Sequence, residues 1–67
     1  MIEISVNGEK REIPEGTTVK ALLDLLGLDQ RLVAVEHNRR IIKRDQHETL
    51  ALAAGDILEI VQFVGGG

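Results

Sequence analysis

One segment of the chain carries a clear helical repeat, and this segment limits what the chain can fold into. Its apolar residues recur at i, i+3, i+4 and i+7, so they form one stripe along a helix. They are Val19, Leu22, Leu23 and Leu26. Thr17 or Thr18 offers a hydroxyl for the helix N-cap, and Gly27 suits the left-handed position that ends a helix. In a single domain of 67 residues, one such helix can cover one face of one sheet.

The first residues of the chain predict a β-hairpin. Apolar and polar side chains alternate along residues 2–6, as in a half-buried strand. Asn7-Gly8 follows, and this dipeptide favours a tight turn because both residues tolerate positive φ. Residues 9–13 then form the antiparallel partner, whose charged side chains suit an edge strand.

Short elements are predicted in the second half of the chain. Residues 32–36 and Ile41-Ile42 predict a second hairpin with its turn at residues 38–40. Residues 50–54 are expected to form a short helical turn before Gly55-Asp56 reverses the chain.

The last strand, residues 57–64, is almost continuously apolar. This composition predicts a central strand with a parallel neighbour and burial on much of both faces. The order of hairpin, helix, short strands and long strand indicates an α+β fold of the β-grasp (ubiquitin-like) type, with one mixed sheet and a single main helix packed on one face. Residues 1–64 are the predicted β-grasp domain, and residues 65–67 are a flexible C-terminal glycine tail.

Composition argues against several classes of function. The net charge is −3 and Phe63 is the single aromatic residue, so nucleic-acid binding is not expected. No apolar run approaches the ~20 residues of a membrane span. Residues 2–6 begin as a strand and not as a signal peptide. We therefore expect a cytoplasmic protein with neither a nucleic-acid nor a membrane partner.

No arrangement of side chains predicts catalysis, a metal site or a bound cofactor. The chain has no Cys, and neither His37 nor His47 has a second ligand or a nucleophile at a useful spacing. We expect both histidines at surface or hairpin positions. The densest basic cluster comprises Arg39, Arg40, Lys43 and Arg44. A solvated turn explains this cluster better than a site for an acidic partner or a phosphate.

The sequence ends in three glycines directly after the apolar last strand. Gly65, Gly66 and Gly67 have no Cβ, so they can pass through a narrow channel into a partner's active site. Three extended residues reach roughly 10 Å beyond the fold. The terminal carboxylate of Gly67 is then the predicted reactive group, and the folded surface supplies the binding energy. An incidental disordered end is the alternative.

Several segments together resemble the thiamine-biosynthesis sulfur carrier proteins of the ThiS family. The segments are residues 55–61 and 64–67, Asn7-Gly8, residues 16–19 with Leu22-Leu23, and residues 33–36. The chain departs from the family pattern at Lys43, where proline is frequent, and at residues 45–47, where an aromatic residue is frequent.

The resemblance implies a protein cosubstrate and not an enzyme. An E1-like adenylating enzyme would use ATP to activate the Gly67 carboxylate, and a sulfur donor such as a cysteine desulfurase would convert it to a thiocarboxylate. Thiazole synthase would accept the sulfur. A terminal Gly-Gly is shared with the small subunit of molybdopterin synthase and with ubiquitin-like protein modifiers, so both remain alternatives, as does a plain β-grasp interaction domain.

Val61, Phe63 and Val64 are the candidate partner contacts. Strand alternation places Ile57, Glu59, Val61 and Phe63 on one face, and Leu58, Ile60, Gln62 and Val64 on the other. If the helix packs on the second set, Val61 and Phe63 form an apolar patch beside the tail. A core position is the alternative for Phe63.

Overall fold

The computed structural model of the protein describes residues 1–63. Its elements in chain order are β1 (Ile2–Val6), β2 (Glu9–Ile13), α1 (Val19–Leu25), a 3₁₀ helix (Gln30–Leu32), β3 (Val33–His37), β4 (Arg40–Ile42), a second 3₁₀ helix (Arg44–Gln46) and β5 (Ile57–Gln62). No helix in this part of the chain is long and apolar enough to cross a membrane.

The strands form one mixed sheet in the order β2-β1-β5-β3-β4. The last strand in the chain, β5, lies at the centre, parallel to β1 and antiparallel to β3. The remaining two strands pair antiparallel at the edges of the sheet. This arrangement, with α1 packed on one face, confirms the predicted α+β fold of the β-grasp type.

Two-residue turns set the register of both hairpins. Asn7 and Gly8 join β1 to β2 with φ of 51° and 82°. This is the predicted tight turn, and positive φ at both residues is the pattern of a type I′ turn. The second turn is equally short, with φ of 50° at Asn38 and 72° at Arg39. As a result β4 begins at Arg40, earlier than predicted. A type I′ turn matches the twist of the strands, and this match outweighs the cost of positive φ at Arg39.

The first turn of α1 is capped by Thr18. Its hydroxyl oxygen accepts a hydrogen bond from the Ala21 N–H at 3.1 Å. The Thr17 hydroxyl instead donates to the Pro14 carbonyl at 2.6 Å, so the N-cap is Thr18. Gly27, with φ of 71°, follows the helix as predicted.

A single apolar core lies between α1 and the sheet. The helix contributes Val19, Leu22 and Leu23. The strands and loops contribute Ile4, Val6, Ile13, Val33, Val35, Leu52, Leu58 and Ile60. Burying one such side chain contributes ~1.5–3 kcal/mol. Contact between the helical stripe and the sheet is therefore the main source of stability.

Residues 50–54 do not form the predicted helical turn. Ala51 forms an isolated antiparallel bridge with Thr18, and the side chain of Leu52 is buried in the core. These tertiary contacts override the local helix propensity of a run rich in Leu and Ala. The short helical turn lies earlier, at Arg44–Gln46.

His47 lies in the core, so the predicted surface or hairpin position is wrong. The residue is 2% exposed, its Nδ1 lies 3.3 Å from Oε1 of Gln30, and its Nε2 has no hydrogen-bond partner among residues 1–63. Burial, with the positive charge of Arg44, lowers the pKa of His47 below its usual 6.5, although Ile42 and Asp45 act in the opposite direction. The neutral ring thus lies in the stretch where the family resemblance anticipates an aromatic residue.

We expect the free energy of unfolding to decrease as the pH falls from about 7.5 to about 5. The unfolded chain protonates His47 near pH 6.5, whereas the folded chain resists protonation. The stabilising contribution is therefore complete above pH 6.5 and is lost as the pH falls below it, with a slope of at most ~1.4 kcal/mol per pH unit. Urea unfolding at several pH values measures this decrease.

His47→Leu is the variant that isolates this effect, because it keeps an apolar core and removes the titrating group. Its stability should change less over the same pH range than that of the wild type. Asp29, with a pKa of about 2, and Asp56, whose pKa is also lowered, lose their contributions only below their usual 3.8. An equal pH dependence of stability in the wild type and in His47→Leu would show that His47 is not the group responsible.

Candidate functional site

The sheet has one covered face and one open face. Along β5, Leu58 and Ile60 point toward α1 and are buried, whereas Ile57, Glu59 and Val61 are exposed. The prediction that this strand is buried on both faces is therefore wrong. Among the described residues α1 is the only α-helix, and it covers one face. A central strand can consequently be mostly apolar and still be half exposed.

An apolar patch runs along the open face. Its members are all more than half exposed: Ile41 at 77%, Ile57 at 55%, Val61 at 59% and Phe63 at 58%. We refer to these four residues as the open-face patch. Strand register places Val61 opposite Ala34 of β3, while Ile41 belongs to the neighbouring β4. On the same face Glu36 lies opposite Ile41, and Glu59 separates Ile57 from Val61, so acidic side chains lie among the apolar ones. Exposed apolar residues grouped on one face mark interaction sites, unlike apolar residues scattered singly over a surface.

Phe63 belongs to this surface, so the core alternative for Phe63 is wrong. It follows the last residue of β5, and its N–H donates to the Leu32 carbonyl at 2.8 Å. This bond continues the pairing between β5 and the β3 side of the sheet one residue beyond the end of β5. The backbone of Phe63 is held while its ring is exposed. The roles of Val61 and Phe63 as partner contacts stay predictions.

Val64, the third predicted contact, and the tail residues Gly65, Gly66 and Gly67 lie outside the described residues. Their roles therefore stay predictions from the sequence. The structure gives the position of the strand that precedes them. That strand is at the centre of the sheet, with its buried side chains under α1 and its exposed side chains in the open-face patch.

Asn7 binds β5, a contact that sequence reasoning missed because it assigned the residue only to a turn. Its Oδ1 accepts a hydrogen bond from the Ile60 N–H at 2.7 Å, and its Nδ2 donates to the Ile60 carbonyl at 3.0 Å. The two residues are 53 positions apart. No local sequence pattern signals such a contact.

A second asparagine binds the beginning of β5. Oδ1 of Asn38 accepts from the Ile57 N–H at 2.9 Å, and the Asn38 N–H donates to the Ile57 carbonyl at 2.8 Å. Asp56 completes this network through Nδ2 of Asn38 at 3.2 Å and Nε2 of His37 at 2.7 Å. Burial alone would raise the pKa of Asp56, but hydrogen bonds from the Ala53 N–H, His37 and Asn38 together lower it. His37 is thus a structural partner of Asp56.

The basic cluster is exposed, as expected for a solvated turn. Its members are Arg39, Arg40, Lys43 and Arg44. None of them takes part in the salt bridges found within residues 1–63. The same part of the chain contains no group of three or more His, Asp or Glu residues that could hold a metal ion.

Comparison with known proteins identifies the family. The model of the ThiS family matches residues 4–67. The chain belongs to the ThiS family. This confirms the resemblance noted in the sequence, and the ThiS match extends over the glycine tail as well as over the folded domain.

Two ThiS proteins of similar length support this assignment. The sulfur carrier protein ThiS of Bacillus subtilis is 35% identical over 65 residues, which cover 96% of this chain and 98% of that protein. The crystal structure of the thiamine biosynthesis protein ThiS from Geobacter metallireducens has a TM-score of 0.83 at 30% identity. The match covers 98% of this chain and 100% of the Geobacter chain.

Longer proteins also match the chain. The thiazole synthase of Paramagnetospirillum magneticum is 46% identical over 66 residues, and that of Magnetococcus marinus is 38% identical over 66 residues. Each match covers 98% of this chain but 20% of the longer protein. The chain therefore spans about a fifth of the length of these thiazole synthases.

Proposed function

We propose that the chain is a sulfur carrier for the synthesis of the thiazole of thiamine, and that it acts as a protein cosubstrate and not as a catalyst. The ThiS family match that extends through Gly67 carries this proposal. Similarity to the Bacillus subtilis sulfur carrier supports it along nearly the whole chain. The two thiazole synthases that contain a similar segment support thiazole synthase as the sulfur acceptor.

The Gly67 carboxylate is the group that carries sulfur in this proposal. A carboxylate is a poor electrophile, so an E1-like adenylating enzyme first uses ATP to form an acyl adenylate and releases pyrophosphate. The terminal sulfur of a persulfide, supplied by a donor such as a cysteine desulfurase, then displaces AMP. A thiol reduces the resulting acyl disulfide to a thiocarboxylate, from which thiazole synthase takes the sulfur. ATP binds to the adenylating enzyme, and the carrier itself needs no bound cofactor.

The folded domain supplies most of the binding energy, because glycines offer few contacts. Ordering a glycine-rich segment on binding costs ~1–2 kcal/mol per residue. Burial of the open-face patch can offset this cost, since apolar surface contributes about 25 cal/mol per Å² removed from water. We therefore propose that the adenylating enzyme and thiazole synthase contact Val61, Phe63 and Val64 as the tail enters their active sites.

The central prediction is an ATP-dependent gain in mass. Incubation with ATP, the adenylating enzyme and a persulfide donor should raise the intact mass by the difference between one sulfur and one oxygen atom. Removal of Gly66 and Gly67 should abolish this gain, because the shortened carboxylate no longer reaches the bound nucleotide. Intact-protein mass spectrometry measures both results.

Related functions predict different products in the same experiment. A ubiquitin-like modifier would form isopeptide conjugates with lysines of other proteins. A molybdopterin-type carrier would gain sulfur but would not pass it to thiazole synthase. An unchanged mass of the full chain, with an adenylating enzyme that is active on another carrier, would refute sulfur transfer.

Phe63→Ser should weaken docking without weakening the fold. Because the residue is 58% exposed, the free energy of unfolding should change by less than about 0.5 kcal/mol. The Kd for the adenylating enzyme should rise roughly 5- to 30-fold, as for the loss of ~1–2 kcal/mol of interface contacts. Titration calorimetry and urea unfolding measure the two quantities.

Leu25→Ser is the matched control for this measurement. Leu25 is equally prominent, at 66% exposed, but it lies on α1 and not on the open face. Its substitution should leave the Kd unchanged. An equal loss of affinity in both variants, or no loss in Phe63→Ser, would show that the open-face patch is not the docking surface.

A further inference from the structure

The central strand extends beyond its parallel neighbour, and one side chain completes the pairing. β1 ends at Val6, opposite Leu58, while β5 continues to Gln62. The Asn7 N–H donates to the Leu58 carbonyl at 2.9 Å. At Ile60, both backbone groups bind the Asn7 carboxamide, at 2.7 and 3.0 Å. The carboxamide thus takes the place of a further residue of β1.

Asparagine fits this position for two physical reasons. Its carboxamide has a donor and an acceptor in one plane, so it can bind the N–H and the C=O of the same residue. Asparagine also tolerates the φ of 51° that the type I′ turn imposes at Asn7. Aspartate would lack the donor. Glycine would suit the turn but lack both groups.

The pairing on the other side of β5 does not depend on Asn7. β3 pairs with β5 as far as Gln62, and Ile60 lies opposite Val35. Without the Asn7 carboxamide, β5 would stay in the sheet. However, the N–H and the C=O of Ile60 would both lose their partner, and β5 would be held near its end only through its pairing with β3.

We propose that Asn7 is a positioning residue, which fixes the direction in which β5 leaves the sheet and thereby places the Gly67 carboxylate in the adenylating enzyme. This inference rests on the proposed function. The open-face patch determines where the enzyme binds, and the bonds at Ile60 determine where the tail begins relative to that patch. A displacement of ~1 Å can cost roughly 100-fold in rate. Lateral movement at Ile60 should therefore slow adenylation more than it weakens binding.

Asn38 provides a matched control within the same chain. It has a φ of 50°, lies in a two-residue hairpin turn, and binds the backbone of β5 at the Ile57 N–H. This contact is at the beginning of the strand, at the end opposite to the tail. Asn38→Gly should therefore reproduce a general loss of stability without changing the direction of the tail.

The experiment compares the wild type, Asn7→Gly and Asn38→Gly as substrates in ATP–pyrophosphate exchange by the adenylating enzyme. Urea unfolding first establishes that each variant is folded at the assay temperature. Asn7→Gly should lower kcat about tenfold and leave KM within about twofold. Its Ile60 amide should exchange with solvent faster than that of the wild type. Asn38→Gly should keep the kcat of the wild type even where it loses as much stability.

Asn7→Asp is a second variant for the case in which Asn7→Gly folds poorly. It keeps the acceptor for the Ile60 N–H but turns a carboxylate oxygen toward the Ile60 carbonyl, so kcat should again fall while KM is retained. Wild-type kcat in the folded Asn7 variants, or an equal loss of kcat in the Asn38 variant, would overturn the positioning role. Failure of the wild type to be adenylated would refute the proposed function, and the positioning role with it.

Discussion

Pairing of β5 on both of its sides is the interaction on which the rest of the structure depends. The strand is last in the sequence but central in the sheet, so the sheet is complete only when the two ends of the chain have met. Such long-range pairing carries a loop-closure cost that local hairpins avoid. Asn7 and Asn38 extend the hydrogen bonding to Ile60 and Ile57. The strand that precedes the tail is consequently constrained from both sides.

The presence of one α-helix in the described chain decides which surface is left for partners. Side chains alternate along β5, so the helix that buries Leu58 leaves Val61 exposed. A helix on the second face would cover the open-face patch and remove it from any interface. The same strand therefore serves the core through one set of side chains and leaves the other set exposed for the docking that we propose. Exposed apolar side chains on such a face are acceptable where a partner covers them during function.

Local patterns predicted most of the fold, because period-two strands, the Asn7-Gly8 turn and the stripe of α1 are each encoded within a few residues. Apart from the early start of β4, which the local turn type explains, the errors share one cause: they depend on distant contacts. His47 is polar in sequence but buried in the structure. Ala51 is extended because it pairs with Thr18. The contact between Asn7 and Ile60 spans 53 positions, and no periodicity within one segment encodes it.

The proposed function asks two different things of the chain: a tail narrow enough to enter an active site, and a fold that sets the direction of that tail. The glycines suit a narrow channel because they have no side chains, but for the same reason they cannot correct an error in direction through contacts of their own. Direction must therefore be set before the glycines begin. In the role that we propose, hydrogen bonds to the backbone of Ile60 and Phe63 set this direction without occupying the open face. In this proposal the exposed side chains of β5 stay available for docking, so one strand both directs the tail and presents the surface that a partner binds.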